Sequence, residues 1–318
     1  MPDPAYARHR LRNQVQTAVL VVGMMGVLGL AAHLIFGQRA FFWAAGMMGL
    51  TLLLAPRISP AMVLRMYGAR PLHPRDAPQL YRIVEALARR AGLKAVPRVY
   101  LVRSTMVNAF AVGDRDSAAI AVTEGLLANL TLRELTAVLG HEIAHIRNGD
   151  LHVMMLADLV TRITDSLSLT GQILLLVNLP LLAAAGYSIS WTGLLLLVFA
   201  PTLSALLQLA LSRTREFDAD LESARLTGDP RALVWALEKL ERMQAGWMER
   251  IFTPMPRIPE PSLLRTHPPT EERIRRLLEL DPRSLPPPLV GGAAGPVLST
   301  GDLTALGAPR RRFPGVWY

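Results

Sequence analysis

No cysteine occurs among the 318 residues. That excludes disulfide scaffolds, cysteine-ligated zinc, iron–sulfur clusters and thiol catalysis. Charge is scarce too: Asp, Glu, Lys and Arg make up 19% of the chain, below the roughly 25% of an average soluble domain. What remains is strongly apolar, with 51% hydrophobic residues and a mean hydropathy of +0.29. The charges present are unbalanced. Lys and Arg number 34 against 25 Asp and Glu, a net +9, which suits either nucleic acid or a membrane with its basic side inside.

The apolar residues decide between these. Asn13–Gln38, Ala40–Pro56 and Ser166–Ser212 contain no Asp, Glu, Lys or Arg over 26, 17 and 47 residues. A helix needs about 20 apolar residues to cross the hydrocarbon. The first stretch fits one span near 17–36, the second a tight span near 40–55. The third fits two, near 171–188 and 191–211, with Tyr187 and Trp191 at an interfacial turn. A buried helical hairpin is the competing reading of the third stretch, where Pro180 and Pro201 could break the spans. A signal peptide competes for the first, but its apolar run is too long and a second follows at once. Arg8, Arg10 and Arg12 precede span one, and Arg57, Arg65, Arg70 and Arg75 follow span two. Arg162 precedes the second hairpin, and Arg213 and Arg215 follow it. Basic flanks put all four ends in the cytoplasm. The basic surplus then marks topology, and no nucleic-acid motif accompanies it.

The polar segments 57–165 and 213–284 must build one domain, interrupted by the hairpin 166–212. Asp76–Ala91 reads as a helix closed by Gly92, with Leu80, Ile83, Val84 and Leu87 at helical spacing. Val99–Val102, Asn108–Gly113 and Ala118–Val122 read as strands or strand and turn. Thr131-Leu132-Arg133-Glu134 is a capping box opening a helix that ends near Asn148-Gly149. Further helices are expected over Arg231–Met243 and Thr270–Leu280. Trp247–Pro261 is either an amphipathic flap or a plain loop. Residues 285–318, rich in Pro and Gly, are expected to be a disordered tail, whose Arg310-Arg311-Arg312 could touch anionic headgroups.

The capped helix carries His141-Glu142-Ile143-Ala144-His145. Positions i and i+4 share a helix face, so both imidazoles can reach one metal, with Glu142 beside them to hold a water. Zinc lowers the pKa of a bound water towards 7, and a carboxylate can take its proton and pass it to a leaving amine. A catalytic zinc needs a third protein ligand and an open position. Without cysteine that ligand is His, Asp or Glu. Glu216, in Ser212–Asp220, is the best placed, although helix-surface charge outside the membrane explains that cluster equally well. Asp220 shares the face of Glu216 and could accept the spare N–H of His141 or His145.

These pieces together resemble the HtpX-like membrane zinc metallopeptidases, relatives of the CAAX prenyl proteases. The resemblance covers roughly residues 15–280. It rests on Asn108-Ala109-Phe110-Ala111, on His141–His145 with Asn148-Gly149-Asp150, on Ser212–Asp220 and on His267-Pro268-Pro269-Thr270-Glu271-Glu272-Arg273. Many relatives have Pro where this chain has Val107. The resemblance implies a mainly α membrane protein with four transmembrane helices and a cytoplasmic α+β, zincin-like (gluzincin) domain carrying a small sheet. It implies one Zn2+ held by His141, His145 and Glu216, with Glu142 as general base and acid. Asn108 and Ala109 would border the substrate cleft, and His267 and Arg273 would reach the oxyanion or substrate backbone. The implied setting is the inner membrane, and the implied substrates are misfolded or damaged membrane proteins. A CAAX-type peptidase and a non-catalytic zinc-bound scaffold are the alternatives. Four spans leave little room for a large intramembrane chamber, and a structural site has no need of Glu142.

Overall fold

The computed structural model describes residues 4–36, 60–184, 191–248 and 270–291. The expected span near 40–55, His267, most of Trp247–Pro261 and the tail beyond 291 lie outside the described residues. The chain divides into two compact units: residues 1–57 with 150–216, and residues 58–149 with 217–318.

The first unit contains α1 (Pro4–Phe36), α6 (Asp150–Ala184) and the larger part of α7 (Trp191–Thr227). Met24 and Leu28 of α1 pack with Ala157, Val160 and Leu211. Leu176, Val177, Phe199 and Leu206 stay exposed. Two helices among the described residues are long and apolar enough to cross a membrane, over Leu11–Leu30 and within Leu194–Thr227. Pro180 and Pro201 do not break their helices. Pro201 has no N–H to give the carbonyl of Leu197 four residues earlier. The Ser168 hydroxyl donates to that carbonyl instead, and Gln172 Nε2 donates to Ser168 Oγ at 3.0 Å. Helix α6 runs without a break from Asp150, where the second segment of the first unit begins.

The second unit is built on a four-stranded mixed sheet: β1 (Arg70–Pro71), β2 (Arg98–Val102), β3 (Ala109–Val112) and β4 (Ala119–Thr123), in the order β1-β2-β4-β3. β2 and β4 are parallel, and β3 lies antiparallel to β4 at the edge, with Ala109 opposite Val122. Alternation gives the sheet two faces. Ala109, Ala111, Ile120 and Val122 meet α3 (Pro78–Ala91) and α5 (Leu132–Asn148) in the main core, through Leu80, Leu87, Leu135, Leu139 and Ile143. Phe110 and Val112 point the other way, onto α2 (Pro60–Met66) and Tyr67. Phe110 is therefore core, its ring 4.9 Å from that of Tyr67.

Helix α5 begins as the sequence predicts. The Thr131 hydroxyl accepts from the Glu134 N–H, and the Glu134 carboxylate accepts from the Thr131 N–H at 2.7 Å. Lys239 also donates to Glu134 at 2.8 Å. The helix ends where Gly149 adopts φ 71°. The short α4 (Glu124–Asn129) precedes it, and α8 (Pro230–Met248) and α9 (Thr270–Leu278) cover its other side. The start of the tail departs from expectation. Leu289 and Val290 pack on the main core, the Leu289 N–H donates to Thr227 O, and Arg90 donates to Pro287 O. Proline-rich backbone docks here through its carbonyls and two apolar side chains, so disorder does not begin at residue 285.

α5 and the end of α7 approach closely at Gly140. A Cβ there would lie 2.9 Å from Thr227 Cγ2 and 3.0 Å from Ser223 Oγ, and Ser223 Oγ donates to Ala137 O at 2.7 Å. Gly140→Ala is therefore expected to cost about 1–3 kcal/mol of stability by overpacking and to weaken metal binding, checked by thermal melting and metal titration. Burial alone would raise the Glu134 carboxyl, but the bonds from Lys239 and Thr131 hold it below the usual range. Its contribution to stability is thus present above the unfolded pKa of about 4.3 and fades as pH falls through the lower folded value. The melting-temperature gap between wild type and Glu134→Gln should shrink in acid relative to pH 7.

Candidate metal centre

α5 sets two imidazoles on one face. The rings of His141 and His145 meet edge to face, centroids 4.6 Å apart, with Nε2 3.1 Å from Nε2. Helix α7 supplies the third group. The division between the units falls just after Glu216, but α7 continues unbroken to Asp220 and Thr227. The ligand atoms of His141, His145 and Glu216 lie within 4.8 Å of one another.

The chemistry of these donors fits a metal. Oδ1 of Asp220 is 3.0 Å from Nδ1 of His141. A carboxylate there favours the tautomer with the proton on Nδ1, leaving Nε2 of His141 as a lone pair turned towards His145. Two nitrogens about 2.0–2.1 Å from a tetrahedral ion would be about 3.3 Å apart, close to the observed separation. Glu216 adds a carboxylate, and a fourth position is left for water or substrate. Among the described residues this is the group of His and acidic side chains that could hold an ion.

Asp220 is itself held. Arg273 of α9 donates to it through Nε at 2.7 Å and a terminal nitrogen at 2.6 Å. Asp220 and Arg273 are both buried. Burial would push the Asp220 carboxyl up, but the charge and hydrogen bonds of Arg273, with His141 beside it, lower it to about 2. Of the two histidines that Asp220 could have served, His141 is the one it meets. The Arg273–Asp220 pair was not legible in the sequence, because the partners are 53 residues apart. Two more buried acids near the ligands are paired: Glu222 with Arg147, and Asp150 with Arg215 at 2.5 Å.

A cleft opens beside His141 and Glu142. Asn108, Ala109 and Arg273 line it, together with Thr270, Val138, Leu233, Leu237, Leu240 and Glu241. Asn108 is fixed by its backbone: its N–H donates to Thr123 Oγ1, and its carbonyl accepts from the Thr123 N–H, both at 3.0 Å. The structure thus gathers His141, Glu142, Asn108, Ala109 and Arg273 at one cleft. The wall from α8 went unforeseen, although its four-residue spacing was visible in the sequence.

The chain matches the model of peptidase family M48 over residues 74–281. It is 40% identical over 294 residues to the "Protease HtpX homolog" of Acaryochloris marina, covering 85% of this chain and 95% of the relative. The "Protease HtpX homolog" of Burkholderia multivorans is 36% identical over 290 residues, covering 84% and 97%. Among solved structures, the crystal structure of S. mikatae Ste24p aligns at 22% identity and a TM-score of 0.46. It covers 85% of this chain and 66% of that one, a likeness too loose to bear on activity. The chain belongs to peptidase family M48, as a membrane metalloprotease of the HtpX type.

Proposed function

We propose that the protein is a zinc endopeptidase of the inner membrane that hydrolyses peptide bonds in misfolded or damaged membrane proteins. The observation that carries this reading is the convergence of His141, His145 and Glu216 beside a cleft that Glu142 also lines. In the proposed topology four helices cross the membrane, and the N-terminus and the catalytic domain lie in the cytoplasm. Two membrane-length helices among the described residues and the basic flanks of the apolar stretches support it.

When bound, zinc would polarise a water molecule and the scissile carbonyl. The Glu142 carboxylate takes a proton from the attacking water and delivers it to the leaving amine nitrogen. Asp220, held by Arg273, keeps the His141 proton on Nδ1, so that Nε2 stays available as a ligand. β3 is an edge strand of the sheet among the described residues, so an extended polypeptide could pair along it with Asn108 and Ala109 at the cleft. Arg273 lines the cleft with Asn108 and Ala109. Arg273 and His267 would serve the carbonyl oxygen on which negative charge develops.

Detergent-purified protein incubated with an unfolded membrane protein should cleave it, stop with a chelator and recover on adding zinc. Glu142→Gln should lose proteolysis while retaining its metal, read by elemental analysis. Cleavage surviving in that variant would overturn the mechanism, and loss of its metal would show Glu142 to be structural. Asp220→Asn should weaken zinc binding about 10- to 100-fold, measured by competition with a chromogenic chelator.

A further inference from the structure

The wall that α8 contributes to the cleft has a pattern of its own. Leu233, Leu237 and Glu241 all line the cleft and recur every four residues, so they form one stripe along the helix. Leu240 lies beside them, and Val138 of α5 and Leu126 of α4 add further aliphatic lining. Aliphatic surface therefore gives way, one turn on, to the exposed carboxylate of Glu241.

Charge along the cleft sharpens this. Arg273 is offset by Asp220, and a divalent ion at the centre would offset Glu142 and Glu216. Among the described cleft residues, Glu241 then supplies the remaining charge. Leu237 and Glu241 are separated by about 6 Å along the helix at 1.5 Å per residue. An extended peptide places side chains i and i+2 on one face, about 6.6–6.8 Å apart. The two spacings match.

We propose that the cleft selects polypeptide segments in which an aliphatic residue seated against Leu233 and Leu237 stands two residues from a Lys or Arg facing Glu241. Such a sequence occurs where an apolar membrane segment meets its cytoplasmic flank, which is enriched in Lys and Arg. The chemical class recognised is therefore the apolar-to-basic boundary of a membrane protein. This inference rests on the peptidase reading above.

The test uses the full-length, zinc-loaded protein in detergent and synthetic peptides of three kinds: aliphatic-x-Lys, aliphatic-x-Glu and aliphatic-x-Ser, each made in both orders. Cleavage is followed by mass spectrometry. In at least one order, kcat/KM for the Lys peptide should exceed that for the Glu peptide by about 3- to 5-fold at low ionic strength, as for an exposed ion pair. The gap should narrow as salt screens it. Glu241→Lys should invert the ranking and Glu241→Gln should flatten it, both read as ratios so that a general loss of activity does not intervene. The same Lys-over-Glu ranking in wild type and Glu241→Lys, or equal cleavage of both peptides by wild type, would overturn the assignment while leaving the peptidase reading intact. Failure of wild type to cleave any peptide or unfolded protein would overturn both.

Discussion

The candidate metal centre rests on one close approach, that of α5 to the end of α7 at Gly140. Gly140 brings no side chain of its own to the contact, so Thr227 and Ser223 pack against its backbone, and Ser223 ties the helices by donating to the carbonyl of Ala137. That distance bears on how far the histidines of α5 stand from Asp220 of α7. Metal–ligand geometry tolerates only a few tenths of an ångström. A packing constraint thus lies one residue from His141, and the pairs Arg147–Glu222 and His141–Asp220 hold the same two helices on either side.

Electrostatics then act on a frame that packing has already set. Asp220 is buried, and alone its charge would be costly. With two donors from Arg273 it remains a carboxylate and can face the Nδ1 proton of His141. The chain Arg273–Asp220–His141 draws its members from α9, α7 and α5, so each helix must be docked before the imidazole is oriented. α9 is also anchored by Arg276, whose guanidinium stacks 3.6 Å from the Phe217 ring centroid. Orientation of a ligand is in this way a property of the tertiary structure and not of the motif helix alone.

Much of this was legible in the residues. The capping box, Gly92, Gly149 and the apolar stripe of α3 mark their elements because each satisfies a local rule within a few residues. The pairing of His141 and His145 on α5 follows from helical spacing for the same reason. Long-range pairings were not legible: no local pattern joins Arg273 to Asp220, or Pro287 to Arg90. Glu216 lay between these cases. Spacing put Glu216 and Asp220 on one face, but only the fold brings that face to His141. Residues 287–290 were hidden by composition. Proline-rich sequence speaks against a core of its own and says nothing about docking onto another.

Proline 201 shows a different kind of economy. Its missing N–H frees one carbonyl in the middle of an apolar helix, and Ser168 of α6 meets it. In hydrocarbon an unmet carbonyl costs several kcal/mol. A slide of α7 along α6 would strand it, because the nearest equivalent carbonyl is a full turn away and already bonded. The proline thus works as a pawl: it fixes the axial register of two helices that smooth apolar surfaces would leave free to slip.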